Sequence, residues 1–176
     1  MEVMFMKSRE VKTPFRANKN DAGIDFFLPV MDEKMVQDVI AKNPDNPCIQ
    51  RPFNEENNPY IVVRPGTRVL IPTGIHTNLF PKDSAFIAFN KSGLSANHGI
   101  IVTAQVVDSD YTGEIHVGIL NTSNEYMEFH QGDKIGQFVH IPIYLTDMRE
   151  ITPETYKELT STSDRGNGGF GSTDNK

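Results

Sequence analysis

A succession of short apolar runs, each cut off by turn residues, constrains this chain more than any other feature. "YIVV" (60–63), "RVLI" (68–71), "AFIAF" (85–89), "GIIVTAQVV" (99–107), "EIHVGIL" (114–120) and "IGQFVHIPIY" (135–144) are rich in β-branched and aromatic residues, the composition of strands. Between them stand Arg64-Pro65-Gly66, Pro81-Lys82-Asp83, Asn97-His98-Gly99 and Gln131-Gly132-Asp133, the residues of tight turns. Strands this short and this closely spaced predict an all-β sandwich, jelly roll or barrel. A chain of 176 residues suits one such domain with one real core.

Two stretches break the strand pattern. In "MDEKMVQDVIAK" (31–42), Met31, Met35, Val36, Val39 and Ile40 fall on one helical face, with Asp32 and Glu33 in the first turn. A short helix is predicted, followed by the proline- and asparagine-rich loop "NPDNPCIQRPFNEENNP". Together they form an insertion at about 31–59, expected to be a tolerated surface addition because inserted length costs little stability. Its rival use is a surface for a protein partner. Near the other end, Thr152-Pro153 supplies a cap and first residue for a helix to about Leu159. The expected organisation is therefore a β domain over 1–160 and a flexible glycine-rich arm over 161–176.

The totals exclude several function classes. A net charge of −6 argues against a general nucleic-acid surface. One cysteine, Cys48, excludes an internal disulfide framework and fits a reducing compartment. The opening "MEVMFMKSRE" is too short and too charged for a signal peptide, and no apolar run reaches membrane length, so a cytoplasmic location is expected. The five histidines, His76, His98, His116, His130 and His140, show no metal-ligand spacing, and no Ser-His-Asp or cysteine nucleophile has supporting context.

Five stretches carry chemical interest. "DAGIDFF" (21–27) sets Asp21 and Asp25 around Ala-Gly, either a turn entering a strand or a hard-cation site. "FNKSGLSANHG" (89–99) brings Lys91, Ser92 and Gly93 to the end of a strand, suited to phosphate or to an ordinary exposed turn. "VVDSDYTGEI" (106–115) places Asp108 at the end of an apolar strand, where apolar walls would favour a general base, although acidic hairpin turns are common. "QGDKIGQF" (131–138) puts Gln137 just inside a strand. The ending "SDRGNGGFGST" (163–173) contains G-x-G-x-x-G, but no strand-to-helix context remains to build a dinucleotide loop. It is either a disordered tail or a strap in which Arg165, Ser172 and Thr173 bond phosphate oxygens and Phe170 stacks on a base. Its glycines, Gly169 and Gly171 among them, would free the backbone to wrap a ligand.

In this order, "DAGIDFF", "NKSGL", "VVDSDYTGEI", "GDKIGQF" and "RGNGGFGST" resemble the five motifs of the trimeric dUTP diphosphatases, from about residue 15 to 173. The resemblance implies a jelly-roll-like (β-clip) subunit, a homotrimer with shared sites, Mg²⁺ as cofactor, and hydrolysis of dUTP to dUMP and pyrophosphate. Such an activity keeps uracil out of DNA and supplies dUMP. By resemblance, Asp108 activates the attacking water, and Tyr111 packs under the deoxyribose and excludes a 2′-hydroxyl. The strand from Ile101 to Val107, Thr103 included, forms a uracil-reading hairpin. Lys91, Ser92, Gly93 and Gln137 hold phosphates, and Asp25 reaches Mg²⁺ through water. Arg165, Gly169, Phe170, Gly171, Ser172 and Thr173 close the site from another subunit. Lys91 stands where the family usually has arginine, and Thr103 and Gln105 stand near usual glycines. A dCTP deaminase is the related rival; it would place a catalytic glutamate at Gly118, which cannot move a proton.

Overall fold

The computed structural model describes residues 3–51, 58–77, 82–163 and 166. The chain divides into two compact units, Met1–Tyr144 and Leu145–Lys176, so that residues 145–160, expected within the β domain, belong to the second unit. The first unit is all-β and jelly-roll-like. Its described elements are β1 (Met6–Lys7), β2 (Ile24–Phe27), α1 (Glu33–Lys42), β3 (Ile49–Gln50), β4 (Tyr60–Val63), β5 (Arg68–His76), β6 (Ser84–Phe89), α2 (Ser92–His98), β7 (Ile100–Thr103), β8 (Val106–Val107), β9 (Glu114–Asn121), β10 (Met127–Phe129) and β11 (Lys134–Pro142). They pair, among the described residues, as sheets of order β1-β5-β9-β7, β10-β4-β3 and β2-β11-β6-β8. Among the described strands every pairing is antiparallel.

Alternation explains the core. Along β9, Ile115, Val117 and Ile119 are fully buried, and across from them β5 contributes Val69 and Ile71. Residues of one face of a strand recur at every second position. In the sheet that carries β11, Phe26 packs on Phe138 with ring centroids 4.5 Å apart, and on Phe86 edge-on at 6.5 Å. Aromatic pairs favour such tilted arrangements.

Several sequence expectations change on this scaffold. The run 99–107 is two strands in different sheets: β7 pairs with β9 and β8 with β6. The break falls at Ala104, whose φ of 54° is left-handed. Among the described residues β7 and β8 are joined by this turn but pair with different neighbours and not with each other. The segment expected to be a turn after Phe89 is α2, a two-turn helix closed by Gly99 at φ 65°. Within the insertion, α1 is the predicted helix, and Asp32, read from the sequence as a first-turn residue, is its cap and accepts from the Met35 N–H at 2.8 Å. Met31, Met35, Val36 and Val39 are buried, but Ile40 is 46% exposed. Cys48, placed by sequence in an open loop, is buried at 2% exposure, and the adjoining β3 pairs with β4. The segment from Met31 to Gln50 is thus built into the core and is not a surface addition.

In the second unit, α3 (Pro153–Leu159) begins as predicted, with Thr152 accepting from the Thr155 N–H and Pro153 in the first turn. No described helix is long and apolar enough to cross a membrane.

Candidate active site

Asp25 is a buried acidic side chain held by two cations. It sits on β2 at 4% exposure, facing Lys91 Nζ at 2.5 Å on one oxygen and Lys134 Nζ at 2.6 Å on the other. Burial pushes its carboxyl up, but the hydrogen bonds and charges of Lys134 and Lys91 outweigh that and hold it below the ordinary carboxylate value. Antiparallel pairing of β11 with β2 sets this geometry, since Lys134 lies opposite Phe27 and Gln137 opposite Asp25.

Gln137 completes this end of the site. Its Nε2 donates to the Asn90 carbonyl at 2.7 Å, and its side chain fills the space where a Cβ on Gly23 would stand. A side chain on the glycine of "DAGIDFF" would therefore displace the Gln137 amide. Asn90 in turn accepts from the Val102 N–H at 2.7 Å, tying β7 to the strand–helix junction. Gly23, Asp25, Asn90, Lys91, Lys134 and Gln137 line one open cleft of about 520 Å³. Two ammonium groups, an amide and exposed Ser92 beside them suit phosphate oxygens. Sequence reading had named Asp25, Lys91, Ser92, Gly93 and Gln137 but missed Lys134, Asn90 and Gly23. Lys134 stands inside the quoted "GDKIGQF", and its signal was the register of β2 against β11, which pairs that motif with "DAGIDFF".

The second group lies elsewhere on the same subunit. Asp108 follows Val107, and Val107 pairs with Phe86 near the start of β6. The Ser109 hydroxyl donates to the Lys82 carbonyl at 3.2 Å, just before β6. Lys91 lies beyond the other end of that strand, so Asp108 and Lys91 are roughly 15–20 Å apart at about 3.3 Å per residue. Thr103 belongs to the Lys91 end, opposite Gly118, and Thr103–Val107 run along β6 between the two groups. The Thr103 hydroxyl occupies the position a Cβ on Gly118 would need, so position 118 holds no room for a glutamate.

Asp108 is exposed, so the described residues of its own chain do not supply the apolar walls expected around it. Tyr111 is 43% exposed, yet its orientation is fixed. Its hydroxyl donates to the Glu114 carbonyl at 2.9 Å, and the ring covers Gly113 where a Cβ would collide with it. Among the described residues no group of three or more His, Cys, Asp or Glu is placed to hold a metal ion. Arg165, Gly169, Phe170, Gly171, Ser172 and Thr173 lie outside the described residues.

Comparison with known proteins shows the family. Residues 57–174 match the family model described as dUTPase. A deoxyuridine 5'-triphosphate nucleotidohydrolase of Neisseria meningitidis serogroup A is 33% identical over 156 residues, covering 85% of this chain and 97% of that protein. Among solved structures, a mutant dUTPase of phage 80alpha superposes with TM-score 0.70 at 18% identity, over 98% of both chains. A mutant dUTPase of phage phi11 of S. aureus, which coordinates a structural Mg(II) ion, gives 0.63 at 17% identity over 86% of this chain and 97% of its own. The chain belongs to the dUTPase family, the enzymes that hydrolyse dUTP.

Proposed function

We propose that this chain hydrolyses dUTP to dUMP and pyrophosphate in sites pooled between copies of a homotrimer. The observation that carries the reading is the separation along β6. The phosphate-binding set around Asp25, Lys91 and Gln137 and the Asp108–Tyr111 set stand at opposite ends of one strand. A separation of roughly 15–20 Å at about 3.3 Å per residue is too long for both groups to meet at one α-phosphorus within one subunit, whereas a symmetric assembly can bring the end of one chain to the other end of its neighbour.

In that site Asp108 takes a proton from a water, whose oxygen attacks the α-phosphorus. The new O–P bond forms as the bond from the α-phosphorus to the bridging oxygen breaks, and pyrophosphate leaves with the bond's electron pair. Lys91, Lys134, Ser92, Gly93 and Gln137 hold phosphate oxygens. Charge stabilisation and placement supply most of the acceleration in phosphoryl transfer. Tyr111 sits against the deoxyribose, where a 2′-hydroxyl would collide, and the Thr103–Val107 strip reads the uracil edge. Arg165, Gly169, Phe170, Gly171, Ser172 and Thr173 form the strap that excludes water.

The residues fit a magnesium ion held chiefly by the triphosphate. Asp25 offers one hard carboxylate beside the phosphate cleft, and both of its oxygens already bind ammonium groups, which leaves contact through water. Mg²⁺ prefers few carboxylates with waters and phosphates. When bound, it neutralises phosphate charge and aligns the triphosphate for in-line attack.

The test is pyrophosphate release from a panel of deoxynucleoside triphosphates and UTP with Mg²⁺. Release from dUTP with little from the rest is expected. Equal turnover of dUTP and UTP would sink the sugar assignment, and ammonia from dCTP would select the deaminase reading.

A further inference from the structure

We propose that Glu114 is a positioning residue for Tyr111 and that helix α1 sets it through Arg9, making α1 a determinant of sugar selectivity. This rests on the reading that Tyr111 contacts the deoxyribose.

Glu114 works through both ends of the residue. Its carbonyl accepts from the Tyr111 hydroxyl at 2.9 Å and from His116 Nδ1 at 2.7 Å. Its carboxylate is gripped on three sides: the Gly74 N–H at 2.6 Å, Arg9 Nε at 2.7 Å and Arg9 Nη2 at 3.0 Å. A carboxylate held by two nitrogens of one guanidinium loses both position and rotation, which a lysine would not impose. The anchoring amide belongs to an irregular stretch of β5, where the register against β9 shifts between Pro72 and His76. Gly74 stands there at φ 72°, with Arg9 Cβ 3.0 Å from where a side chain would start. Bulges of this kind re-aim side chains beside sites.

The link to α1 is direct. Arg9 Nη2 also binds Asp38 Oδ2 at 2.7 Å, and Asp38 lies mid-helix. Arg9 and Glu114 side chains are only 12% and 15% exposed, so this contact is shielded from the screening that weakens surface pairs. Burial pushes the Glu114 carboxyl up, while Arg9 and the Gly74 amide pull it below its ordinary value, and Glu114 raises Arg9. One cation thus bridges a carboxylate on the inserted helix and a carboxylate whose own backbone fixes the tyrosine. The turn has a second tether, His76 Nδ1 at 3.2 Å from the Thr112 carbonyl. It holds the loop through the Thr112 backbone.

The experiment is a cycle of variants scored by the ratio of kcat/KM for dUTP over UTP, with melting temperature as control. Tyr111→Phe should lower the ratio by removing the hydroxyl's anchor. Glu114→Gln should lower it roughly fivefold to tenfold, and the double variant should fall no further than Tyr111→Phe alone, the signature of residues acting through one contact. Asp38→Ala should give a smaller loss in the same direction. Arg9→Lys keeps the charge and loses the fork, and serves where Glu114→Gln fails to fold. A wild-type ratio in both Glu114→Gln and Arg9→Lys overturns the proposal, as does an additive loss in the double variant. A Tyr111→Ala ratio equal to wild type would instead overturn the sugar-contact reading itself, so the two failures are distinguishable.

Discussion

Asp25 and Glu114 show how single residues set the acid limit of this protein. Both are carboxylates whose folded-state values are depressed by cationic or N–H partners. Their stabilisation is complete above the ordinary values of 3.8 and 4.5 and is lost as pH falls through the lower folded values, because the unfolded chain takes up protons first. His116 and His140, pushed down by burial, begin an earlier loss below their ordinary 6.5. Asp25→Asn should therefore remove part of the decline in melting temperature below about pH 4, while leaving the histidine portion in place. A wild-type acid limb in that variant would show that the two lysines do not hold a charged Asp25. With Asp108 as the proposed base, Asp108→Asn should reduce pyrophosphate release by about 10²–10⁴-fold with nucleotide binding retained. Turnover at the wild-type rate would remove Asp108 from the role of base.

At the scale of elements, α1 decides whether the inserted segment is decoration or structure. Met35 is 1% exposed, and Val36 and Val39 are fully buried. The Asn43 side chain donates to the Val39 and Leu70 carbonyls and accepts from the Leu70 N–H, so the helix is clamped to β5 by both packing and hydrogen bonds. Met35→Ala should cost about 2–5 kcal/mol in urea unfolding, and Lys34→Ala, on the exposed face, less than about 0.5 kcal/mol. Equal effects from the two would refute a core role. This helix was legible from its 3.6-residue apolar spacing and acidic first turn, and α3 from the cap and first residue that Thr152-Pro153 supply. Other elements were not. α2 has no buried residue and no side-chain cap, so it lacks both signals. β3 and β10 have two and three residues, too few for a period of two to appear. The run 99–107 looked like one strand because nothing in its residues marks the left-handed turn at Ala104. In the site, the motif residues were readable by type and order. Lys134 and Arg9 were not picked out, because what makes them matter is register across strands and not neighbours in sequence.

At the scale of the whole molecule, the separation of Asp108 from Lys91 along β6 turns subunit mixing into a test of the assembly. If each site takes its base from one chain and its phosphate ligands from another, two differently damaged chains can repair each other. Asp108→Asn and Lys91→Ala homotrimers should each be nearly inactive. Unfolded together in equal amounts and refolded, they should form mixed trimers in which some sites draw an intact Asp108 from one chain and an intact Lys91 from its neighbour. For random assembly with one donor of each kind per site, about a quarter of the sites are whole, and dUTP turnover should recover to about that fraction. Mixing the folded variants without exchange should recover nothing, because recovery needs new interfaces and not merely proximity. Sedimentation should give a trimer for each variant and for the mixture. Failure of the refolded trimeric mixture to regain turnover would mean that both groups act within one chain, despite lying at opposite ends of the strand.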